Sequence, residues 1–306
     1  MPNLKDIKQR IGSVQNTKKI TKAMKMVAAA KVKKAENTVK AARPFSDELL
    51  HLFRKMIATV GDFSTIGLKV TRGLDNYPEL LTRREVKTEG LLVITSNKGL
   101  AGAYNANIIK TTLKRIKENS EKGIKTVIYP VGQKAISGFK HKSGDFELRD
   151  GYISIANEPT ATGANLIAED IANDYVSGKI DKIEIITTHF NNMMSYNIVN
   201  WEVLPVEIEQ TETNTEKHHE LDPTMEFEPS ANSVLQQLVP MFITNSIYQA
   251  LLEANASELA SRMTAMSAAS NNAEEMITTL TIDYNKARQA AITQELVEIV
   301  SGASAI

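Results

Sequence analysis

Apolar residues at Leu4, Ile7, Ile11 and Val14 recur at steps of three, four and three, the spacing of one buried helical face, with charged and small polar residues between them. Ile20, Met24 and Val27 continue an apolar stripe in a shifted phase, which argues against a uniform supercoil along this segment. No glycine follows Gly12 before Gly61, and Pro44 is the one candidate kink, so the pattern predicts a helix of about 55 residues and about 80 Å.

The far end of the chain is more regular. Leu252, Ala256, Leu259, Met263, Met266, Ser270, Ala273, Ile277, Leu280, Tyr284, Ala287 and Ala291 alternate steps of four and three, and all but Ser270 are apolar or aromatic, the seam of a coiled coil. With Ser233–Ala250 included, a helix from about 230 to 300 would extend about 105 Å, too long for a globular domain to cover. Two such helices at opposite ends of one chain are expected to be antiparallel partners. Alanines and methionines in both stripes permit close approach and suggest a slender rod.

Between them the period changes. Residues 90–95, 125–130, 182–188 and 198–206 read as strands, and 105–119, 133–139 and 163–177 as helices. This alternation predicts an inserted α/β, Rossmann-like domain with a mainly parallel sheet. The expected division is a helix over 1–60, a linker over 61–89, the α/β domain over 90–206, an acidic loop over 207–229 and the second long helix over 230–306.

Charge adds to this picture. The formal net charge is zero, yet residues 1–43 carry twelve basic side chains against Asp6 and Glu36, and residues 202–228 carry nine acidic ones against Lys217. Charge separated on this scale serves partners more often than folding. The absence of cysteine excludes disulfides and thiolate chemistry, and no apolar run is long enough to cross a bilayer. Helical patterning begins at once after Met1, so a cytosolic start with no leader is expected.

Candidate chemistry is sparse. The turn 96–102, SNKGLAG, follows the first strand where α/β folds cradle phosphates, but it lacks both G-x-x-x-x-G-K-[ST] and G-x-G-x-x-G; a tight strand-to-helix turn is the alternative. His51, His141, His189, His218 and His219 show no metal-binding spacing, and no nucleophile elbow is present. The basic helix has no aromatic residue before Phe45 on which a base could stack, so nucleic acid is not an expected partner. No cofactor, metal or catalytic constellation emerges.

Several runs carry a resemblance. IGSVQNTKKITKAMKMVAAAK over 11–31, ARPF over 42–45, TSNKGLAG over 95–102, ASELASRMTAM over 256–266 and YNKARQAAITQELVEIVSG over 284–302 closely resemble the gamma subunits of rotary, F-type ATP synthases, in order and at both ends of the chain. The resemblance implies a central shaft that catalyses nothing itself. Its terminal helices would turn inside a ring of three alpha and three beta subunits, while the α/β domain and foot rest on the epsilon subunit and the c-subunit ring. Ion flow through that ring would drive the beta-subunit sites through their conformations, and the membrane would be reached only through the ring. A bacterial form, peripheral on the cytoplasmic side of the plasma membrane, is expected.

Residue by residue, the resemblance places Lys22, Met24 and Lys25 opposite an acidic loop of a beta subunit, with Arg262, Gln289, Thr293 and Glu298 making related contacts. It makes Val300, Ala303 and Ile306 part of a bearing tip, and Phe227 and Glu228 part of the foot near epsilon and the c ring. Two positions depart from the family pattern: Met241 stands in Pro240-Met241-Phe242 where an arginine is usual, and Ala101 where a cysteine is usual. A non-catalytic coiled-coil adaptor and an α/β enzyme binding a small molecule are the alternatives.

Overall fold

A computed structural model describes residues 4–60, 77–142, 144–206, 228 and 231–303. Residues 61–76 of the expected linker, the acidic segment 207–227, Phe227 within it, and Ile306 lie outside the described residues. The elements in chain order are α1 (Leu4–Val60), α2 (Tyr77–Leu80), β1 (Thr88–Ile94), α3 (Tyr104–Glu121), β2 (Lys125–Val131), α4 (Gln133–Lys140), β3 (Phe146–Leu148), α5 (Ala161–Val176), β4 (Lys182–Asn192), β5 (Ser195–Leu204) and α6 (Ala231–Ala303). They form two compact units, one of Met1–Lys31 with Arg262–Ile306, the other of Val32–Ser261. Helix α1 runs without interruption through Pro44, and α6 through Pro240.

In the larger unit the sheet order is β3-β2-β1-β4-β5, parallel except for the antiparallel pair β4–β5. The central strand β1 is buried on both faces from Glu89 to Ile94, which is why its sequence reads as a continuous apolar run rather than an alternation. Strand β3, three residues long, was too short to carry a periodic signal. Strand β4 continues past the expected end at Thr188. Its pairing with β1 ends at Val93–Ile186, but residues 187–192 pair with β5 alone, as a two-stranded ribbon extending beyond the parallel sheet.

One face of the sheet is covered by α5 together with α6, whose Leu235, Val239, Ile243, Ile247 and Leu251 recur every four residues and share a core with Leu92, Ile171, Ile183 and Phe53 of α1. The other face is covered by α3 and α4 through Ile108, Ile116, Ala135 and Phe139. Glu89, 1% exposed, is held there by a bidentate Arg115 at 2.7 and 3.0 Å, so this buried charge is paired. A third cluster joins Val32 and Val39 of α1 to Leu252, Ala256, Leu259 and Ala260 of α6 and to Phe190 of β4. Ser46 bonds to both Gln249 and Asn245 as Arg43 bonds to Glu253, so the two helices are antiparallel here.

In the smaller unit, α1 and α6 pair along one seam. Every described position of the predicted α6 stripe from Met263 to Ala291 is buried or half-buried, while most of its neighbours are exposed. The α1 stripe differs from expectation. Of its expected members Met24 is half-buried on the seam, but Ile20 and Val27 are 60% and 57% exposed, and the seam also takes in Lys18, Thr21 and Ala28. These continue from Leu4, Ile7, Ile11 and Val14 in regular steps as far as Thr21, so the phase follows residue size and pairing rather than hydropathy. Thr21 is small and bonds back to the Lys18 carbonyl at 3.1 Å, while Lys18 covers the seam with its aliphatic stem and reaches Glu274 of α6 at 2.9 Å.

Candidate functional site

The turn after β1 is engaged within the fold. The Ser96 amide donates to Asn105 Oδ1 at 3.0 Å, Asn97 accepts from the Gln133 amide at 2.8 Å and donates to the Ile153 carbonyl at 2.7 Å, and the Ala101 carbonyl accepts from Ser261 of α6 at 2.7 Å. Leu100 and Gly102 adopt positive φ of 64° and 54°, which folds the turn tightly back on itself. Ala101 is buried within this turn, where a small side chain suits the space.

A cleft of about 870 Å³ opens at the opposite end of the strands, where Thr88, Lys125 and Phe146 begin β1, β2 and β3. Ligands in parallel sheets bind beyond the carboxyl ends of strands, so the cleft is at the wrong end for such a site. Two of its cations are already engaged, Arg149 and Lys179 meeting Asp174 at 2.6 and 2.8 Å. Burial raises the Asp174 carboxyl, but Lys179, Tyr129 and Arg149 outweigh it and hold the group below its ordinary range. Among the described residues no cluster of His, Asp and Glu could hold a metal. Of the histidines, His51 and His141 are exposed singly, His189 is half-buried, and His218 and His219 lie outside the described residues.

The surfaces of the long helices carry the remaining chemistry. Of the twelve basic residues in 1–43, ten are exposed; the half-buried pair, Lys18 and Arg43, each meet a carboxylate of α6. The hydrogen bond from Lys18, with its charge, holds the Glu274 carboxyl below the usual carboxylate range.

The expected contact residues divide by position. Lys22 and Lys25 are exposed and flank half-buried Met24 within one turn of α1; Arg262 is half-buried on α6; Gln289, Thr293 and Glu298 are exposed on α6. Glu298 accepts from Gln294 at 3.1 Å. Arg262 and Gln289 are separated by about 40 Å of helix, so the set does not converge on one site. Val300 is 63% exposed, Ala303 is exposed, and Glu228 is an exposed bend.

Hydropathy read as burial overlooked a further surface. Ile20, Met26 and Val27 of α1 and Ile282, Ile292, Leu296, Val297 and Ile299 of α6 are each about half exposed or more. The signal available in the sequence was apolar residues standing off the three-four seam. Ile292, Leu296, Val297, Ile299 and Val300 gather on one broad side of the last turns of α6, opposite Gln294, Glu295 and Glu298, an exposed apolar stripe of the kind that marks an interaction surface.

Comparison with known proteins bears on these surfaces. A family model described as ATP synthase matches residues 3–306. The ATP synthase gamma chain of Gloeothece citriformis is 39% identical over 327 aligned residues, and that of a Picosynechococcus species 40% over 329, each alignment covering the whole of both chains. Among solved structures, a chain from the central stalk and c-ring of the Tetrahymena thermophila mitochondrial ATP synthase superposes with a TM-score of 0.57 at 28% identity, covering 82% of this chain and 99% of that one. A chain of the Euglena gracilis mitochondrial ATP synthase shares the fold with a TM-score of 0.62 at 18% identity, covering 99% of this chain and 94% of that one.

Proposed function

The chain belongs to the ATP synthase gamma-chain family, and we infer from its two long helices and their exposed apolar and basic surfaces how it serves as the motor's central rotor shaft. It is a non-catalytic subunit of a membrane-associated complex containing F1 subunits and a c-ring. No described helix is long and apolar enough to cross a membrane.

In our reading, one copy stands within three alpha and three beta subunits, with epsilon and the c ring on the sheet domain and on the foot around Phe227 and Glu228, on the cytoplasmic side of a bacterial membrane. Lys22, Met24 and Lys25 on α1 meet an acidic loop of a beta subunit, and Arg262, Gln289, Thr293 and Glu298 on α6 make related contacts. The bearing tip, Val300 and Ala303 continuing to Ile306, turns in an apolar sleeve.

A shaft can bias a beta subunit toward one conformation only by binding its alternatives with different affinity. Basic and apolar contacts at separate points and azimuths provide this difference, because one rotation presents unlike surfaces in turn to three chemically identical neighbours. The full-length match to gamma chains carries the reading. Purification of the tagged chain from its native membrane tests it: one copy per three alpha and three beta subunits, with ion-coupled ATP turnover, is expected. Recovery as a free homo-oligomer would support the adaptor alternative instead.

A further inference from the structure

The ARPF run contains an arginine that none of the proposed beta-subunit contacts uses. Arg43 of α1 points to Glu253 of α6, whose side chain is 2% exposed. Its Nε donates to Glu253 Oε1 at 2.8 Å and its Nη2 to Oε2 at 3.0 Å and to the Phe190 carbonyl at 2.7 Å. The Phe190 amide donates to Glu253 Oε2 at 2.7 Å, Gln249 Nε2 to Oε1 at 2.9 Å, and His189 Nδ1 lies 3.5 Å from Oε2. Both backbone groups of Phe190 are thus taken by the ion pair, in the stretch of β4 that has no neighbour but β5. The pair takes the place of a neighbouring strand and ties α1, α6 and the ribbon together at one buried carboxylate.

The apolar contacts around this joint are mixed: Val32, Val39, Leu252 and Leu259 interdigitate, but Ala35, Ala42, Ala256 and Ala260 lie among them, and methyl groups fix register less firmly than Leu or Ile. A slip of one turn would preserve much of that contact but would strand a buried carboxylate away from its guanidinium. Polar residues buried in a helix interface are best attested in such a register-setting role.

We propose that Arg43 and Glu253 are positioning residues that key α1 to α6 and to the β4–β5 ribbon, so that the two helices of the shaft hold register under rotational load. This rests on the rotor reading. Nothing in it requires Arg43 or Glu253 to touch a beta subunit.

The decisive variant is Arg43→Met with Glu253→Met in the complete membrane-reconstituted complex. Exchange of both members of the ion pair for apolar side chains avoids stranding a single charge, and because it also frees the Phe190 amide and carbonyl, the melting temperature of the variant chain is measured alongside to separate register from stability. ATP hydrolysis with the ion gradient collapsed should stay within about twofold of wild type, while ATP-driven ion pumping per ATP hydrolysed should fall about fivefold as the gradient builds. Arg43→Lys should be intermediate, because one ammonium cannot reproduce the planar fork that spans both carboxylate oxygens and the Phe190 carbonyl. Should the double variant not assemble, Glu253→Gln replaces it with the same two readouts. An assembled variant with a wild-type ratio of pumping to hydrolysis overturns the proposal. Failure of the rotor reading is distinguishable, since the unmutated complex would then pump equally well without this chain.

Discussion

The Tyr104 hydroxyl donates to the Ala254 carbonyl at 3.1 Å, joining the first residue of α3 to the middle of α6. Tyr104 is 1% exposed, and its ring meets Tyr196 edge-on at 5.7 Å. Tyr104→Phe keeps the ring packing and removes one hydrogen bond, so unfolding free energy should fall by about 1 kcal/mol. Thermal or urea unfolding of the isolated chain would show this; an unchanged midpoint would mean that the bond contributes nothing net.

The corrected seam on α1 gives a second expectation. Ala28 is 2% exposed, so Ala28→Leu overpacks the interface and should cost about 1–3 kcal/mol. Ile20→Ser and Val27→Ser alter exposed positions and should change the stability of the isolated chain by less than about 0.5 kcal/mol. The serine variants should nevertheless lower the ATP turnover of the reconstituted complex. Stability measured on the chain and turnover measured on the complex would distinguish the two faces; wild-type turnover for both serine variants would remove this stripe from the contact surface.

The same residues show how much was legible in the sequence. The α6 seam was readable through Ala291 because small and apolar residues occupy nearly every inward position. On α1 after Val14 hydropathy was right at Met24 but wrong at Ile20 and Val27, which face out while Thr21 and the stem of Lys18 face inward. A partner-facing apolar residue and a core-facing one look alike in a single sequence. In the sheet, β1, β2 and the start of β4 were legible as buried runs, but β3 has only three residues and the ribbon end of β4 is polar. The Arg43–Glu253 joint left no local trace, because its partners stand 210 positions apart.

Alkaline pH should destabilise the larger unit. Burial pushes the Tyr175 phenol up to about 12, opposed by nearby Arg84 and reinforced by Asp181, Glu202 and Glu79. Burial likewise raises Tyr104, Tyr129 and Tyr152. An unfolded tyrosine ionises near pH 10, so the folded state binds more protons above that point, and stability falls as pH rises from about 10 toward 12. Below about pH 10 these groups contribute no slope. The melting temperature recorded across this range should decline with the rise in phenolate absorbance, and Tyr175→Phe should flatten part of the decline. A flat profile to pH 12 would contradict the burial argument.

Rotation itself gives the last expectation. Gln289 is exposed on α6 between the half-buried seam positions Ala287 and Ala291, so a substitution there leaves the helix pairing intact. The chain has no cysteine of its own. A single Gln289→Cys change, oxidised to a cysteine placed on the facing beta-subunit loop, therefore ties the shaft to the ring at one defined point. If the shaft must turn for each beta subunit to pass through its states, oxidation should abolish steady-state ATP turnover while leaving the complex assembled. Reduction should restore turnover, because the disulfide exchanges reversibly with added thiol. A tie at Ile306 is a weaker test, since single bonds in a few unwound terminal residues could swivel as the rest of the helix turns. At Gln289, some fourteen residues inside the described end of α6, that escape requires unwinding about four turns of helix. Full turnover with this tie quantitatively formed, and the helix around it shown intact, would refute the shaft mechanism for this chain.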